Sequence, residues 1–150
     1  MTDIFLHQQL DAWTNEGGRG RPIPVPHTPL NILVIEDDAM IAMLYSELLT
    51  QIGHQVCGLA RAENEAVAMA RRLLPDVIIA DLGLREGSGL GAMERIRHRR
   101  DVPHIFITGG DLQLRDARGA AGLLRKPFSE DQLVAAIARV TAEAGLDPEH

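Results

Sequence analysis

From Leu30 to about Ala144 the chain alternates short apolar runs with longer segments whose apolar residues recur every three or four positions. Repeated strand–helix units on a parallel sheet require this alternation, because such strands are buried on both faces while each helix buries one. Five runs read as strands: Ile32 to Ile35, Gln55 to Leu59, Val77 to Ala80, His104 to Thr108 and Gly122 to Leu124. The first predicted helix aligns Ile41, Leu44, Leu48 and Ile52 and stops at Gly53, a natural left-handed cap. A second runs from about Ala62 to Leu74, ahead of Pro75, and Leu90, Met93 and Ile96 line a third. A short fourth spans about Asp111 to Arg118. The last opens at Ser129, with Gln132 spaced for a capping box, buries Leu133, Ile137 and Val140, and ends near Ala144.

With 150 residues at 16.4 kDa, this series fills one domain, residues 30–144, and leaves a tail at 145–150. Residues 17–29 hold three glycines and four prolines and read as a linker. Ahead of it, residues 1–16 place Leu6, Leu10 and Trp13 on one face of a short helix behind Asp3, a candidate cap. That face either rests on its own domain or receives a partner or a second copy of the chain.

Fifteen basic residues against twenty-one acidic ones give a net charge of −6, so no overall basic field favours nucleic acid. No apolar run approaches the roughly 18 residues that span a bilayer. Cys57 is the only cysteine, which excludes an intrachain disulfide; it reads as strand packing, and a reducing cytoplasm is the expected compartment. The six histidines show no metal-ligand spacing, and the arginines at 95, 97, 99 and 100 read as a solvated helix end.

Ligands of open parallel sheets collect at the carboxyl ends of the strands. There this chain carries Glu36-Asp37-Asp38 after the first run, Asp81 after the third, Thr108 at the end of the fourth and Lys126-Pro127 after the fifth. Adjacent carboxylates repel by about 4 kcal/mol per pair at an effective dielectric of 20 unless a proton or cation lies between them. Magnesium, which accepts one or two carboxylates together with waters and a phosphate oxygen, suits that edge. A carboxylate there can attack a phosphoryl group while the cation and a lysine neutralise the transferring oxygens. Taken singly, each residue has a plainer role: Asp38 as a helix cap, Asp81 as a turn cap, Thr108 as an ordinary strand residue. Lys126 is the most informative, being the only lysine beside fourteen arginines.

In this ordered set the chain resembles the receiver domain of two-component response regulators from about Leu30 to Ala144. Ile-Leu-Val-Ile-Glu36-Asp37 resembles the family's first strand and acidic pair, Pro-Asp-Val-Ile-Ile-Ala-Asp81 its phosphoacceptor strand, and Arg-Lys126-Pro127-Phe128 its lysine turn. The resemblance implies a flavodoxin-like, CheY-like α/β fold: a doubly wound five-stranded parallel sheet in the order 2-1-3-4-5, with helices on both faces. It implies phosphorylation of Asp81, and magnesium held by Asp37, Asp81 and the main-chain carbonyl of Gly83, with Glu36 acting through water. Thr108, Gly109 and Lys126 would bind the phosphoryl group, and the peptide before Pro127 would be cis.

The sequence also departs from the family pattern. Leu123 stands where receivers usually carry an aromatic switch, and Lys126 follows Thr108 by only 18 positions, so the fourth helix is expected to be short. Arg85 replaces a common proline. Phe106-Ile-Thr108-Gly109-Gly110 resembles the alphaproteobacterial FAT GUY variant, which lacks the switch aromatic; Gly109 and Gly110 would then supply backbone motion or simply a tight turn.

The resulting expectation is a stand-alone receiver phosphorylated by a histidine kinase or phosphotransfer protein, acting by contact with an unidentified target as adaptor, relay or phosphate sink. It would not be an enzyme beyond catalysing its own phosphoryl transfer. A haloacid-dehalogenase-like phosphatase would need a second Asp where Gly83 stands. A scaffold that works without phosphorylation is the other alternative, and the intact acid, threonine and lysine set speaks against it.

Overall fold

The computed structural model describes residues 8–10, 28–84, 86–109 and 122–145. In chain order the elements are β1 (Asn31–Ile35), α1 (Ala39–Gln51), β2 (Gln55–Ala60), α2 (Glu63–Leu73), β3 (Val77–Asp81), α3 (Gly89–Arg97), β4 (His104–Thr108), β5 (Gly122–Arg125) and α4 (Glu130–Glu143). The strands form one parallel sheet in the order β2-β1-β3-β4-β5, the order that the resemblance to receiver domains implies. Observed strand ends move by at most one residue from the apolar runs. Asp81 and Arg125 extend theirs because each still pairs across the sheet, with Ile107 and Thr108. Apolarity marks burial, whereas strand membership follows the hydrogen-bond ladder.

Alternate strand residues feed two cores. On one face Ile32 and Val34 of β1, Val77 and Ile79 of β3, and Ile105 and Ile107 of β4 pack under α1 and α4. On the other, Leu33, Ile35, Ile78, Ala80 and Phe106 pack under α2 and α3, and Cys57 and Leu123 lie half-buried against this second core. Cys57 therefore packs as expected, and burial raises its pKa and favours the thiol.

Helix ends follow local chemistry. Asp38 accepts from the N–H groups of Met40 and Ile41, so the cap reading holds. Ser129 and Gln132 form the expected capping box. Gly53 adopts φ +99° just past α1. Two details differ from expectation. The buried face of α1 is centred on Ile41, Tyr45, Leu48 and Leu49, with Leu44 only half-buried, because a straight helix turns 100° per residue and carries position 45 under the sheet. α2 stops at Leu73, and Leu74 takes a left-handed φ of +49° to close it before Pro75.

Residues 8–10 are helical. Leu10, expected on the apolar face, is exposed, and Gln9 is buried, since the Gln9 amide finds main-chain partners at Phe128. Asp3, Leu6 and Trp13, the linker up to position 27, Arg85, Gly110, the fourth helix at 111–118 and the tail at 146–150 lie outside the described residues.

Candidate functional site

β1 and β3 are neighbours in the sheet, so their carboxyl ends bring Glu36 and Asp81 together although the two lie far apart in sequence. β4 and β5 close the other side, where the Lys126 N–H donates to the Thr108 carbonyl at 2.8 Å. This turns the lysine inward. Its Nζ lies 2.7 Å from Asp81 Oδ2 and 3.9 Å from Glu36 Oε1. The first is a charge-assisted hydrogen bond and the second is not a hydrogen bond.

Glu36 is 2% exposed. Its Oε2 accepts from the Asp38 N–H at 3.1 Å, while its Oε1 is buried and has no hydrogen-bond partner. Burial above all, then the charge of Asp81 and hydrogen bonds shared with Asp81 and Asp37, push its pKa from 4.5 up to about 9. The acids at this edge therefore lie close enough to share protons.

Asp81 is buried, and its Oδ1 accepts from the Gly83 N–H at 2.7 Å. Gly83 is thus beside the aspartate, its amide engaged and its residue exposed. Thr108 is fully buried and Gly109 exposed at the end of β4. Pro127 follows Lys126 through a cis peptide, as the family resemblance implies. Leu123 pairs in register with Phe106, one strand over, and takes its place in the second core rather than at the acids.

A buried carboxylate oxygen without a hydrogen-bond partner, on a glutamate whose pKa is raised to about 9, is what a cation would relieve. Among the described residues no three acidic, histidine or cysteine side chains form a ready-made metal cage. The donor set fits magnesium nonetheless, since that ion takes few carboxylates and completes its shell with carbonyl, water and phosphate oxygens.

Three further residues shape the site without a sequence signal that singles them out. Tyr45 packs against Phe128 with ring centroids 5.6 Å apart, and its hydroxyl pKa is raised by burial and then by the charges of Glu36, Asp81 and Asp38. Glu63, in the first turn of α2, accepts from the Ser88 N–H at 3.0 Å and pairs with Arg95 at 3.2 Å, fixing the loop after Asp81. Gly89 opens α3 directly against Asp81; a Cβ there would collide with the Asp81 carbonyl oxygen. Arg95 and Arg100 are more than solvated charges, since Arg95 also bonds Asn64 and Arg100 donates to the Pro75 carbonyl.

The family model for the response regulator receiver domain matches residues 32–138. The chain belongs to the response regulator receiver family. This receiver domain is 36% identical over 114 residues to the transcriptional regulatory protein PdtaR of Mycobacterium tuberculosis, covering 73% of this chain and 55% of that protein. It is 38% identical over 112 residues to the phyllosphere-induced regulator PhyR of Methylorubrum extorquens, covering 72% and 42% respectively. The receiver domain of Erythrobacter litoralis PhyR, solved by NMR, superposes with a TM-score of 0.69 at 31% identity, covering 77% of this chain and 92% of that one. The chain therefore spans about half the length of the curated regulators named here. No helix among the described residues of this receiver is long and apolar enough to cross a membrane.

Proposed function

We propose that this receiver accepts a phosphoryl group on Asp81 from a phosphohistidine of a histidine kinase or phosphotransfer protein. An Asp81 carboxylate oxygen forms the new P–O bond as the P–N bond breaks, and the departing imidazole nitrogen takes up a proton. The 2.7 Å pair of Lys126 Nζ with Asp81 Oδ2 is the observation that carries this reading. It sets the chain's only lysine against the acceptor, ready to follow the charge onto a phosphoryl oxygen.

Asp37, Asp81 and the Gly83 carbonyl would hold magnesium, with Glu36 reached through water; bound there, the ion neutralises charge on the transferring oxygens. The Gly83 N–H fixes the carboxylate orientation through Oδ1. Thr108 and the Gly109 N–H are offered as partners of the phosphoryl oxygens. The acyl phosphate would then alter affinity for a downstream protein, with no nucleic acid contacted. We read the domain as a cytoplasmic signalling element rather than a turnover enzyme, because Gly83 leaves the position two residues after Asp81 without an acid.

Incubation with magnesium and acetyl phosphate, followed by peptide mass spectrometry, tests the proposal. One phosphoryl group is expected on the peptide containing Asp81, lost in Asp81→Asn and in the presence of a chelator. No uptake by the wild type would leave a phosphorylation-independent scaffold, and multiple-turnover release from varied phosphate esters would make the protein a phosphatase.

A further inference from the structure

Gln9 lies 119 positions from Phe128, yet its carboxamide engages both main-chain groups of that residue. The Phe128 N–H donates to Gln9 Oε1 at 3.0 Å, and Gln9 Nε2 donates to the Phe128 carbonyl. The glutamine is 5% exposed, the only polar residue from the helical turn at 8–10 that is buried. A carboxamide can satisfy an N–H and a C=O at once, as a neighbouring strand would, and no apolar side chain of similar size can. Surface packing alone would favour Leu10, which instead remains exposed.

The location of this clamp gives it meaning. Lys126 is two residues before Phe128, so the lysine turn is held on both sides. Its leading side is tied to β4 by the Lys126 N–H on the Thr108 carbonyl, and its trailing side is tied to the N-terminal segment through Gln9. The Phe128 ring is buried against Tyr45, whose hydroxyl feels the charges of Glu36 and Asp81. Residues 8–10 also precede the stretch matched by the family model, 32–138, so the clamp reaches the lysine turn from outside that stretch.

We propose that Gln9 is a positioning residue for Lys126: the turn around Phe128 is an interaction surface occupied by the N-terminal segment of the same chain, and that docking is linked to the phosphoryl state of Asp81. The inference rests on the phosphoacceptor reading above. When the ammonium leaves the Asp81 carboxylate for a phosphoryl oxygen, the turn that carries it shifts, and the Gln9 bonds are strengthened or weakened accordingly. Linkage makes the effect reciprocal: whatever undocking does to the phosphorylation equilibrium, phosphorylation does to docking.

The test uses the full chain and Gln9→Met, which keeps the length of the side chain and removes both hydrogen bonds. Labelling by acetyl phosphate and magnesium, and decay of the label after the reagent is removed, are followed by mass spectrometry. Trp13, the only tryptophan, reports on the N-terminal segment by fluorescence when magnesium and beryllium fluoride, a phosphoryl mimic, are added. Expected are at least a threefold change in labelling or decay rate in Gln9→Met, and a Trp13 response in the wild type that the variant lacks. In a Lys126→Met background the effect of Gln9→Met on the rates should vanish, which a purely structural role would not produce. Wild-type labelling with Gln9→Met rates within experimental error of it overturns the proposal while leaving the phosphoacceptor reading intact, as does a Gln9→Met effect that persists without Lys126. Absence of any label on the wild type overturns the phosphoacceptor reading and the linkage with it.

Discussion

The two loops that flank Asp81 are each fastened by one side chain from a distant element, and the fastenings differ in kind. On one side Glu63 of α2 reaches the loop after β3, accepting from the Ser88 N–H and pairing with Arg95. On the other, Gln9 reaches the turn after β5 and bonds both main-chain groups of Phe128. Glu63 lies within the family-matched stretch and its Arg95 partner is nearly half exposed, with side-chain exposures of 24% and 46%. Gln9 lies outside that stretch and is buried. A partly exposed ion pair holds a loop loosely and weakens with salt, whereas a buried neutral amide holds it regardless of ionic strength. The acceptor loop is thus held from within the stretch that the family model matches, and the lysine turn from outside it.

Both fastenings border a site whose Glu36 costs stability when it ionises. Glu36 has its pKa raised from 4.5 to about 9, so between those values the folded chain keeps a proton that the unfolded chain has lost. More protons bound in the folded state means stability falls as pH rises. The penalty is absent below the unfolded value, grows through neutrality and is complete above the folded one. Without a divalent cation the urea midpoint should therefore drop steadily between about pH 5 and about pH 9, the largest effect foreseen here. Magnesium, by taking the place of the proton, should flatten that slope and raise the midpoint most at the alkaline end. A cation-free midpoint that does not vary with pH would show that Glu36 is not strained, and the two fastenings would then hold nothing in tension.

Glu63→Ala separates the fastenings directly. Loss of the Ser88 bond and the Arg95 pair should cost about 1–2 kcal/mol in urea unfolding, part of it disappearing at high salt. Hydrogen exchange should quicken in residues 86–91 and stay unchanged at Phe128. If exchange quickened at Phe128 as well, the two loops would move as one unit, and the contrast between the two fastenings would be lost.

What was legible in the sequence follows the same division. The parallel strands and the meeting of Glu36, Asp81 and Lys126 were readable because strand-end position and side-chain type carry that information locally, whereas the strand order came from the family resemblance. Ser129 and Gln132 announced their own cap. Glu63 and Gln9 were not readable, because a polar residue in the first turns of a helix looks the same whether it faces water or a loop 25 or 119 positions away. Tyr45 was within reach of periodicity, four residues after Ile41, but the apolar stripe drawn through Leu44 passed it by. The crowding of acids at Glu36 was visible in the sequence, while the lack of a hydrogen-bond partner at its Oε1 is a property of packing alone.

The turn after β1 offers the smallest and most discriminating change. Asp38 adjoins Glu36 and Asp37 in sequence, yet its Oδ1 accepts from Met40 and Ile41 at 3.0 and 3.1 Å, which commits that oxygen to the first turn of α1. Asp38→Ala should cost about 1 kcal/mol, the usual value of a cap. Because the Asp38 N–H that bonds Glu36 Oε2 belongs to the main chain, the substitution leaves that contact in place. Magnesium affinity, measured by titration calorimetry, should therefore stay within about twofold of wild type, the residual reflecting one lost negative charge near the site screened by solvent. Asp38→Asn should restore most of the stability, since an amide oxygen caps nearly as well as a carboxylate. A tenfold fall in magnesium affinity in both variants would make Asp38 a ligand, move the acidic pair one residue along the chain and shift the ion toward the α1 side of the pocket, away from the loop that Glu63 holds.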